Sequence, residues 1–422
     1  MADETIAAGE PSPRAADPDN ELAALIRLGF RELGGGAAGI GGIERAIADR
    51  VFSILGRSAE LARWIHSGVS GGVSGGLRGA SGALGRGTAI GMRALALERA
   101  PSTTALGAGV IGAINGLIGD ALERDRSEVA QVMSVRAGGE AIDLARDSLA
   151  RAFPHAGPIL VVFLHGLMET EFSWLHFAGI DGGSYGSRLA ADLDYTPVYV
   201  RYNTGRHVSE NGRSLDELLD ELVTEWPTEV RGIALIGHSM GGLVARSACH
   251  LASERRAAWV ARVRHTVTLG TPHLGALLAQ AAHYATAALG ALPETRALAA
   301  PLRRRSAGIR DLRQGSLVDE DWRDRDPDAL RAIACREVPL LEGATHCFVT
   351  ATLTRSERHP VGRLIGDALV LVPSASGRSR TRRIPFCDED GAHVGGAHHL
   401  ALLNHPVVYE HLRRWLGTPK AD

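Results

Sequence analysis

The chain has 422 residues, which is enough for two or three domains and a large buried core. Its formal net charge is −2, with acidic and basic residues mixed, so composition gives no electrostatic case for binding nucleic acid. The chain contains four cysteines, too few for a disulfide framework and without metal-ligand spacing: Cys249, Cys335, Cys347 and Cys387. We expect buried free thiols, with a single Cys335–Cys347 bridge as the alternative.

The first 126 residues contain two predicted parts. Residues 1–20 are rich in proline and acidic side chains, which predicts a disordered N-terminus. They lack the basic-then-apolar pattern of a secretory signal, so we expect a cytoplasmic protein, with membrane association as an alternative. Residues 21–126 predict a glycine-rich helical region, with apolar positions at helical spacing over 22–33 and 40–54. The Gly/Ser-rich stretch 68–91 suits either close helix contacts or a flexible linker.

An uncharged stretch, residues 100–119, has a length that would suit a membrane span. Its many glycines, with Pro101 and Asn115, make it only weakly hydrophobic and favour a helix packed inside the protein. Interfacial membrane contact and a true span remain alternatives. The partners suggested by this region therefore include a membrane surface, contacted peripherally through the N-terminal helices.

Residues 127–418 predict one α/β domain. Residues 129–136 alternate loosely and stop at a Gly-Gly turn, which predicts an edge hairpin. Residues 159–164 form a continuous apolar run, typical of a central parallel strand buried on both faces. Further strands are predicted over 197–202, 233–236, 263–269, 347–353 and 368–372, and helices over 143–153, 214–226, 241–255 and 407–416. This alternation predicts a mostly parallel sheet covered by helices on both faces, and residues 276–330 predict a helical cap or lid inserted into it.

The pentapeptide Gly237-His238-Ser239-Met240-Gly241 stands between a predicted strand and a predicted helix. A sharp turn there would hold the Ser239 hydroxyl at the end of the sheet, and only glycine leaves room beside the serine. Ser239 is therefore the candidate nucleophile. The alternative is a glycine-rich turn with an incidental serine.

A serine hydroxyl needs a base that takes its proton and an acid that orients the base. His399 lies after a glycine-rich loop and just before the closing helix, where a base can reach back over the sheet edge. The alternatives for the base are His398, His393 and His405. Asp367, which follows Gly366 in a turn, is the favoured acid. Its rivals are Asp388 and Asp390, in what reads as a solvated acidic turn.

The oxyanion that develops on the substrate needs two backbone donors. His165-Gly166 ends the first central strand, so the N–H of Leu167 is expected to join that of Met240 beside the nucleophile. His165 itself is expected to shape this loop. No cluster of His, Cys and Asp suggests a metal, and no phosphate-binding loop follows a strand, so no cofactor is expected.

Several motifs together resemble the lipase/esterase branch of the α/β-hydrolase superfamily, and most closely the bacterial lipases grouped with the GPI inositol-deacylase domain. They are His165-Gly166-Leu167, Gly237-His238-Ser239-Met240-Gly241-Gly242, Gly270-Thr271-Pro272-His273-Leu274-Gly275, Gly366-Asp367 and His399-Leu400. The resemblance covers about residues 127–418. It implies an α/β-hydrolase fold and ester hydrolysis through an acyl-serine, often on lipid-like acyl chains and without a cofactor. The acid motif departs from the usual Asp-Gly-x-Val-Pro, because Asp367 follows its glycine.

The expected substrate is a hydrophobic ester or lipid. An acyltransferase, amidase or thioesterase using the same three residues is the first alternative. The second is a non-catalytic, membrane-associated binding protein. Nothing in the sequence indicates an oligomeric state.

Overall fold

The computed structural model of the protein describes residues 16–35, 99–179, 182–276, 279–280, 305–327, 329, 335–380 and 382–417. The predicted helix over 40–54 and the Gly/Ser-rich stretch 68–91 lie outside these residues. So do most of the predicted disordered N-terminus and the greater part of the predicted cap at 276–330.

Within the described ranges, eight strands form a single, mostly parallel sheet, which is the sheet class that the sequence predicted. They are β1 (Ser134–Ala137), β2 (Glu140–Ile142), β3 (Ile159–Leu164), β4 (Thr196–Arg201), β5 (Gly232–His238), β6 (Val263–Leu269), β7 (Thr345–Thr352) and β8 (Gly391–Gly395). Their order across the sheet is β2-β1-β4-β3-β5-β6-β7-β8. The β1–β2 hairpin and the β1–β4 pair are antiparallel, and all other neighbours are parallel.

Ten α-helices are found in the described part of the chain. They are α1 (Pro18–Gly35), α2 (Ala105–Arg124), α3 (Arg146–Ala152), α4 (Tyr185–Leu193), α5 (Val208–Glu225), α6 (Met240–Glu254), α7 (Ala307–Asp311), α8 (Pro360–Ile365), α9 (Val372–Ala375) and α10 (Pro406–Gly417). Because side chains alternate along a strand, β3 contributes side chains to two hydrophobic cores, one on each face of the sheet. Leu160, Val162 and Leu164 pack with α5 and α6 on one face, and Val161 and Phe163 pack with α4 and α10 on the other.

The last strand is not where the sequence predicted it. Residues 368–372 form a turn and the start of α9, because the Asp367 carboxylate accepts the N–H groups of Leu369 (2.9 Å) and Val370 (2.8 Å). A side chain that binds its own backbone in this way competes with a sheet ladder. The edge strand is instead β8, in the stretch predicted as a glycine-rich loop, where it pairs in parallel with β7.

Helix α2 lies against the loops that follow β3 and β4. A side chain at Gly116 would collide with Met168, and one at Gly119 would collide with Asn203. The Asn203 amide donates to Gly119 O (3.0 Å), and Ser306 Oγ donates to Gly116 O (2.6 Å). By length and composition α2 could cross a membrane, with a mean hydropathy of 1.5. In this structure its glycine face is a contact surface with the sheet domain.

Helix α1 is tied to the sheet domain through a polar chain of contacts. The Glu21 carboxylate accepts from Ser102 N (2.9 Å) and Ser102 Oγ (2.6 Å), and Arg201 donates to Ser102 O (2.6 Å). Arg201 also forms a bidentate pair with Glu171, and both side chains are buried. The first helix is therefore attached close to the loop that follows β3.

All four cysteines are free thiols, and the alternative bridge is not formed. Cys249 and Cys347 are buried, Cys335 is half-buried and Cys387 is exposed.

Candidate active site

Ser239 occupies a strained turn between β5 and α6. Its φ and ψ are 52° and −120°, a backbone conformation that residues other than glycine rarely adopt. A side chain at Gly237 would collide with the backbone of Gly242, and one at Gly241 with the carbonyl of Leu164. The steric requirement predicted for these two glycines is therefore confirmed. The Ser239 N–H donates to Leu269 O (2.8 Å), which fixes the turn to the end of β6.

Two of the favoured candidates meet in the interior. His399 Nδ1 lies 2.7 Å from Asp367 Oδ2, and the His399 N–H donates to Asp367 O (3.0 Å). Both side chains are buried. The other ring nitrogen, Nε2 of His399, is buried and has no hydrogen-bond partner among the described residues. One side of the imidazole is thus oriented by a carboxylate, while the other side is left for a further group.

The His399–Asp367 pair is electrostatically stabilised. Burial lowers the pKa of His399, but the charge of Asp367 and its hydrogen bond, with the charge of Glu169, outweigh this and raise the pKa. Burial raises the pKa of Asp367, but the charge and hydrogen bond of His399, with the Val370 and Leu369 N–H groups, hold it below its usual value. Both shifts favour an ionised carboxylate that supports a protonated imidazole.

The His399 ring lies next to the segment that carries Ser239. A Cβ at Gly270 would stand 3.0 Å from His399 Cε1 and 3.1 Å from Nδ1, and Gly270 has a φ of +59°. Gly270 directly follows Leu269, the acceptor of the Ser239 N–H. The rings of His399 and His238 are 4.8 Å apart, centroid to centroid. His399 and Asp367 therefore meet directly, and the segment that carries Ser239 adjoins the His399 ring through Gly270 and His238.

The alternative candidates for the base and the acid are exposed to solvent or contact other groups. The His398 side chain is exposed, and His393 contacts the Thr350 and Thr352 hydroxyls at 2.9 and 3.1 Å. His405 Nδ1 accepts from Val407 N (3.2 Å). Asp388 is exposed and pairs with Arg378, and Asp390 closes a short 3₁₀ turn.

The two predicted oxyanion donors belong to segments that adjoin Ser239. Met240 is the first residue of α6, so its N–H lies in the first turn, where the helix offers no acceptor. A Cβ at Gly166 would stand 3.0 Å from Ser239 Cβ, so the loop that carries Leu167 adjoins Ser239, the candidate nucleophile. His165 is fully buried against Tyr202, whose hydroxyl donates to His165 O (2.6 Å). His165 thus lies where a loop-shaping role was predicted for it.

Sequence reasoning missed Glu169. Its carboxylate accepts from Gly166 N (2.9 Å) and lies 3.0 Å from His238 Nδ1. Burial favours the neutral acid, but the charge and hydrogen bond of His238 and the Gly166 N–H lower the pKa of Glu169 to about 2. The available signal was its position three residues after Gly166, a spacing at which a side chain can bind the backbone of its own turn.

Within the described ranges, no group of three or more His, Cys, Asp or Glu side chains is placed to hold a metal ion.

Residues 156–290 match the family described as the PGAP1-like alpha/beta domain, over about a third of the chain. This segment runs from just before β3 to beyond β6 and includes the nucleophile turn. The chain has an α/β-hydrolase fold. The predicted resemblance to this superfamily is confirmed by the match and by the order and direction of the strands.

Several solved structures are similar to this chain. Bacillus licheniformis lipase BlEst2 in mature form is 19% identical, with 62% of this chain and 93% of that chain covered and a TM-score of 0.39. The RedJ thioesterase of Streptomyces coelicolor is 20% identical, with 62% and 92% covered and a TM-score of 0.35. Phospholipase PlaB of Legionella pneumophila is 16% identical, with 62% and 60% covered and a TM-score of 0.39. A search of curated proteins finds no match.

Proposed function

We propose that the protein is a serine ester hydrolase that cleaves hydrophobic acyl esters through an acyl-serine intermediate. One observation carries the proposal: a buried imidazole, His399, is held by Asp367 at one nitrogen, has an unpartnered second nitrogen, and lies beside Gly270 and the His238 ring, which precedes Ser239. This is the arrangement that activates a serine hydroxyl for attack on a carbonyl.

In the proposed reaction, Ser239 Oγ attacks the ester carbonyl while His399 Nε2 takes its proton. The carbonyl oxygen becomes an oxyanion, which the N–H groups of Leu167 and Met240 stabilise. The intermediate then collapses, and His399 gives the proton to the departing alcohol. Water repeats the sequence on the acyl-serine, so the carboxylic acid leaves and Ser239 regains its proton. Asp367 keeps Nδ1 protonated throughout and stabilises the imidazolium.

The preference for hydrophobic acyl chains rests on the family resemblance and on the apolar residues beside the serine. Leu167 and Met168 follow Gly166 in the loop after β3, and Met240 follows Ser239. Leu167 and Met168 are half-buried, so theirs are the side chains that the proposal assigns to the acyl chain, whereas the Met240 side chain is fully buried in the core.

Replacement of Ser239 tests the proposal. Ser239→Ala is expected to lower kcat for p-nitrophenyl acyl esters by about a millionfold, the scale seen when a serine nucleophile is removed. Ser253→Ala is the matched control, because Ser253 lies on the same helix and donates only to Cys249 O (2.6 Å). A fluorophosphonate probe should label the wild type and the control but not Ser239→Ala. Turnover that persists in Ser239→Ala contradicts the proposal.

A series of acyl lengths in the same assay reports the size of the acyl pocket, and adding alcohol or amine acceptors reports transfer. Acyl products on those acceptors in place of the free acid would assign the protein to the acyltransferases instead.

A further inference from the structure

One buried carboxylate joins the three segments that build the candidate site. Glu169 contacts Gly166, which precedes the proposed oxyanion donor Leu167, and it contacts His238, which precedes Ser239. The other ring nitrogen of His238, Nε2, lies 3.4 Å from His399 O. The His238 side chain is fully buried, and that of Glu169 is 13% exposed.

The turn from Gly166 to Glu169 is closed twice by the same residue. The Glu169 N–H donates to Gly166 O (3.2 Å), and the Glu169 carboxylate accepts from Gly166 N (2.9 Å). Within this turn Met168 has a φ of 62°, a left-handed conformation that disfavours a non-glycine residue. The turn is therefore held by its contacts and not by local preference. The carboxylate of Glu169 is one of those contacts.

The contact with His238 fixes the ring. An ionised carboxylate can only accept, so His238 Nδ1 carries a proton and donates it to Glu169. Charge-assisted hydrogen bonds of this kind are stronger than neutral ones. The Trp174 ring meets His238 edge to face at 6.4 Å, and the His399 ring lies 4.8 Å away on another side. The His238 ring therefore lies between the Glu169 carboxylate and the His399 segment and contacts both of them.

We propose that Glu169 is a positioning residue for the reaction: its carboxylate sets the orientation of the Leu167 N–H through Gly166 and holds His238 against the His399 main chain. This inference rests on the function proposed above. Glu169 acts through its neighbours, and its loss should lower turnover more than substrate binding, because the oxyanion forms only as the reaction proceeds.

The test compares Glu169→Gln with Glu171→Gln. Glu171 is a buried carboxylate two residues further on, but it pairs with Arg201 and Arg136 and not with the site. Glu169→Gln should lower kcat by about tenfold to a hundredfold, less than the ~10²–10³ for direct loss of an oxyanion donor, with KM changed by less than about threefold. Glu171→Gln should leave kcat unchanged per active site, counted by fluorophosphonate titration. Equal kcat values in the two variants overturn the proposal.

The pH profile gives a readout that a purely structural role would not move. The charged and titratable groups around His399 are Asp367, Glu169 and His238. Because the Glu169 charge favours the protonated imidazole, Glu169→Gln should move the acid limb of kcat/KM to lower pH. An unmoved limb overturns this part of the assignment. Should Glu169→Gln fail to fold, Glu169→Asp keeps the charge on a side chain one methylene shorter, and full activity in that variant overturns the proposal.

A double-mutant cycle separates the two contacts of the carboxylate. Glu169→Gln and His238→Asn should lower kcat by less together than the product of their separate effects, since each breaks the same contact. Multiplicative losses would overturn the role of His238. Failure of the proposed function is seen separately: the wild type would then neither turn over esters nor be labelled at Ser239, whatever residue stands at 169.

Discussion

Gly270 provides the sharpest test of how the imidazole is positioned. Its φ of +59° is a left-handed conformation, and a methyl group there would stand 3.0 Å from His399 Cε1, 3.1 Å from Nδ1 and 3.0 Å from Leu402 Cδ1. These separations are tighter than ordinary carbon contacts, so either the ring or the backbone must give by a few tenths of an ångström. The clash falls on the ring edge formed by Cε1 and Nδ1, and Nδ1 is the atom that donates to Asp367.

Gly270→Ala should therefore act in two ways. Left-handed backbone should cost about 1–2 kcal/mol of stability. The displaced ring should lower kcat by about tenfold, given that a misplacement of ~1 Å costs ~10²-fold. Gly138→Ala is a matched control, because Gly138 has a φ of +58° but nothing within 4 Å of its Cβ position. It carries the same backbone strain without the clash.

The measurements are kcat for a p-nitrophenyl ester and the free energy of unfolding in urea, for both variants and the wild type. Gly138→Ala should lose stability and keep its kcat, whereas Gly270→Ala should lose both. If the two variants share one kcat, the reasoning that Gly270 reserves space for the His399 ring is refuted.

Two further predictions follow from the same geometry. Asp367→Asn should lower kcat by about 10⁴-fold. Because Asp367 raises the pKa of His399, the acid limb of kcat/KM should lie above about pH 6.5 in the wild type and should move to lower pH in the variant. An acid limb that does not move would argue against the His399–Asp367 pair. Gly119→Ala should lower the free energy of unfolding by about 1–3 kcal/mol through overpacking against Asn203, whereas Gly179→Ala, with nothing near its Cβ position, should match the wild type in the same urea titration.

The pH dependence of stability has opposite signs for the two acidic groups and the imidazole. The pKa values of Asp367 and Glu169 are lowered on folding, so their contribution is present above the unfolded values near 4 and is lost as pH falls through the folded ones. The pKa of His399 is raised, so its contribution is present below about 6.5 and is lost as pH rises through the folded value.

Locally encoded features were predictable from the sequence. The strand Ile159–Leu164 follows from a run of apolar residues that only a sheet buried on both faces can accommodate. The turn at Ser239 follows from two glycines whose missing side chains are a steric condition of that turn. His399 and Asp367 were selected by their place in the chain, and the structure puts them 2.7 Å apart.

Features that depend on distant partners needed the tertiary structure. Residues 391–395 have glycine at both ends and were predicted as loop, yet they form β8 because β7 supplies a parallel partner. Residues 368–372 are apolar enough for a strand, but the Asp367 carboxylate takes two of their amides. The role proposed for Glu169 depends on His238, 69 residues away.

The division has a simple physical origin. Periodicity and glycine sterics act over a few residues, so the sequence by itself determined the sheet class and the turn at Ser239, while the order of motifs along the chain selected His399 and Asp367 as candidates. Sheet edges, buried carboxylates and the space beside an imidazole depend on which atoms meet after folding, so only the tertiary structure decided the last strand, the Gly270 contact and the place of Glu169.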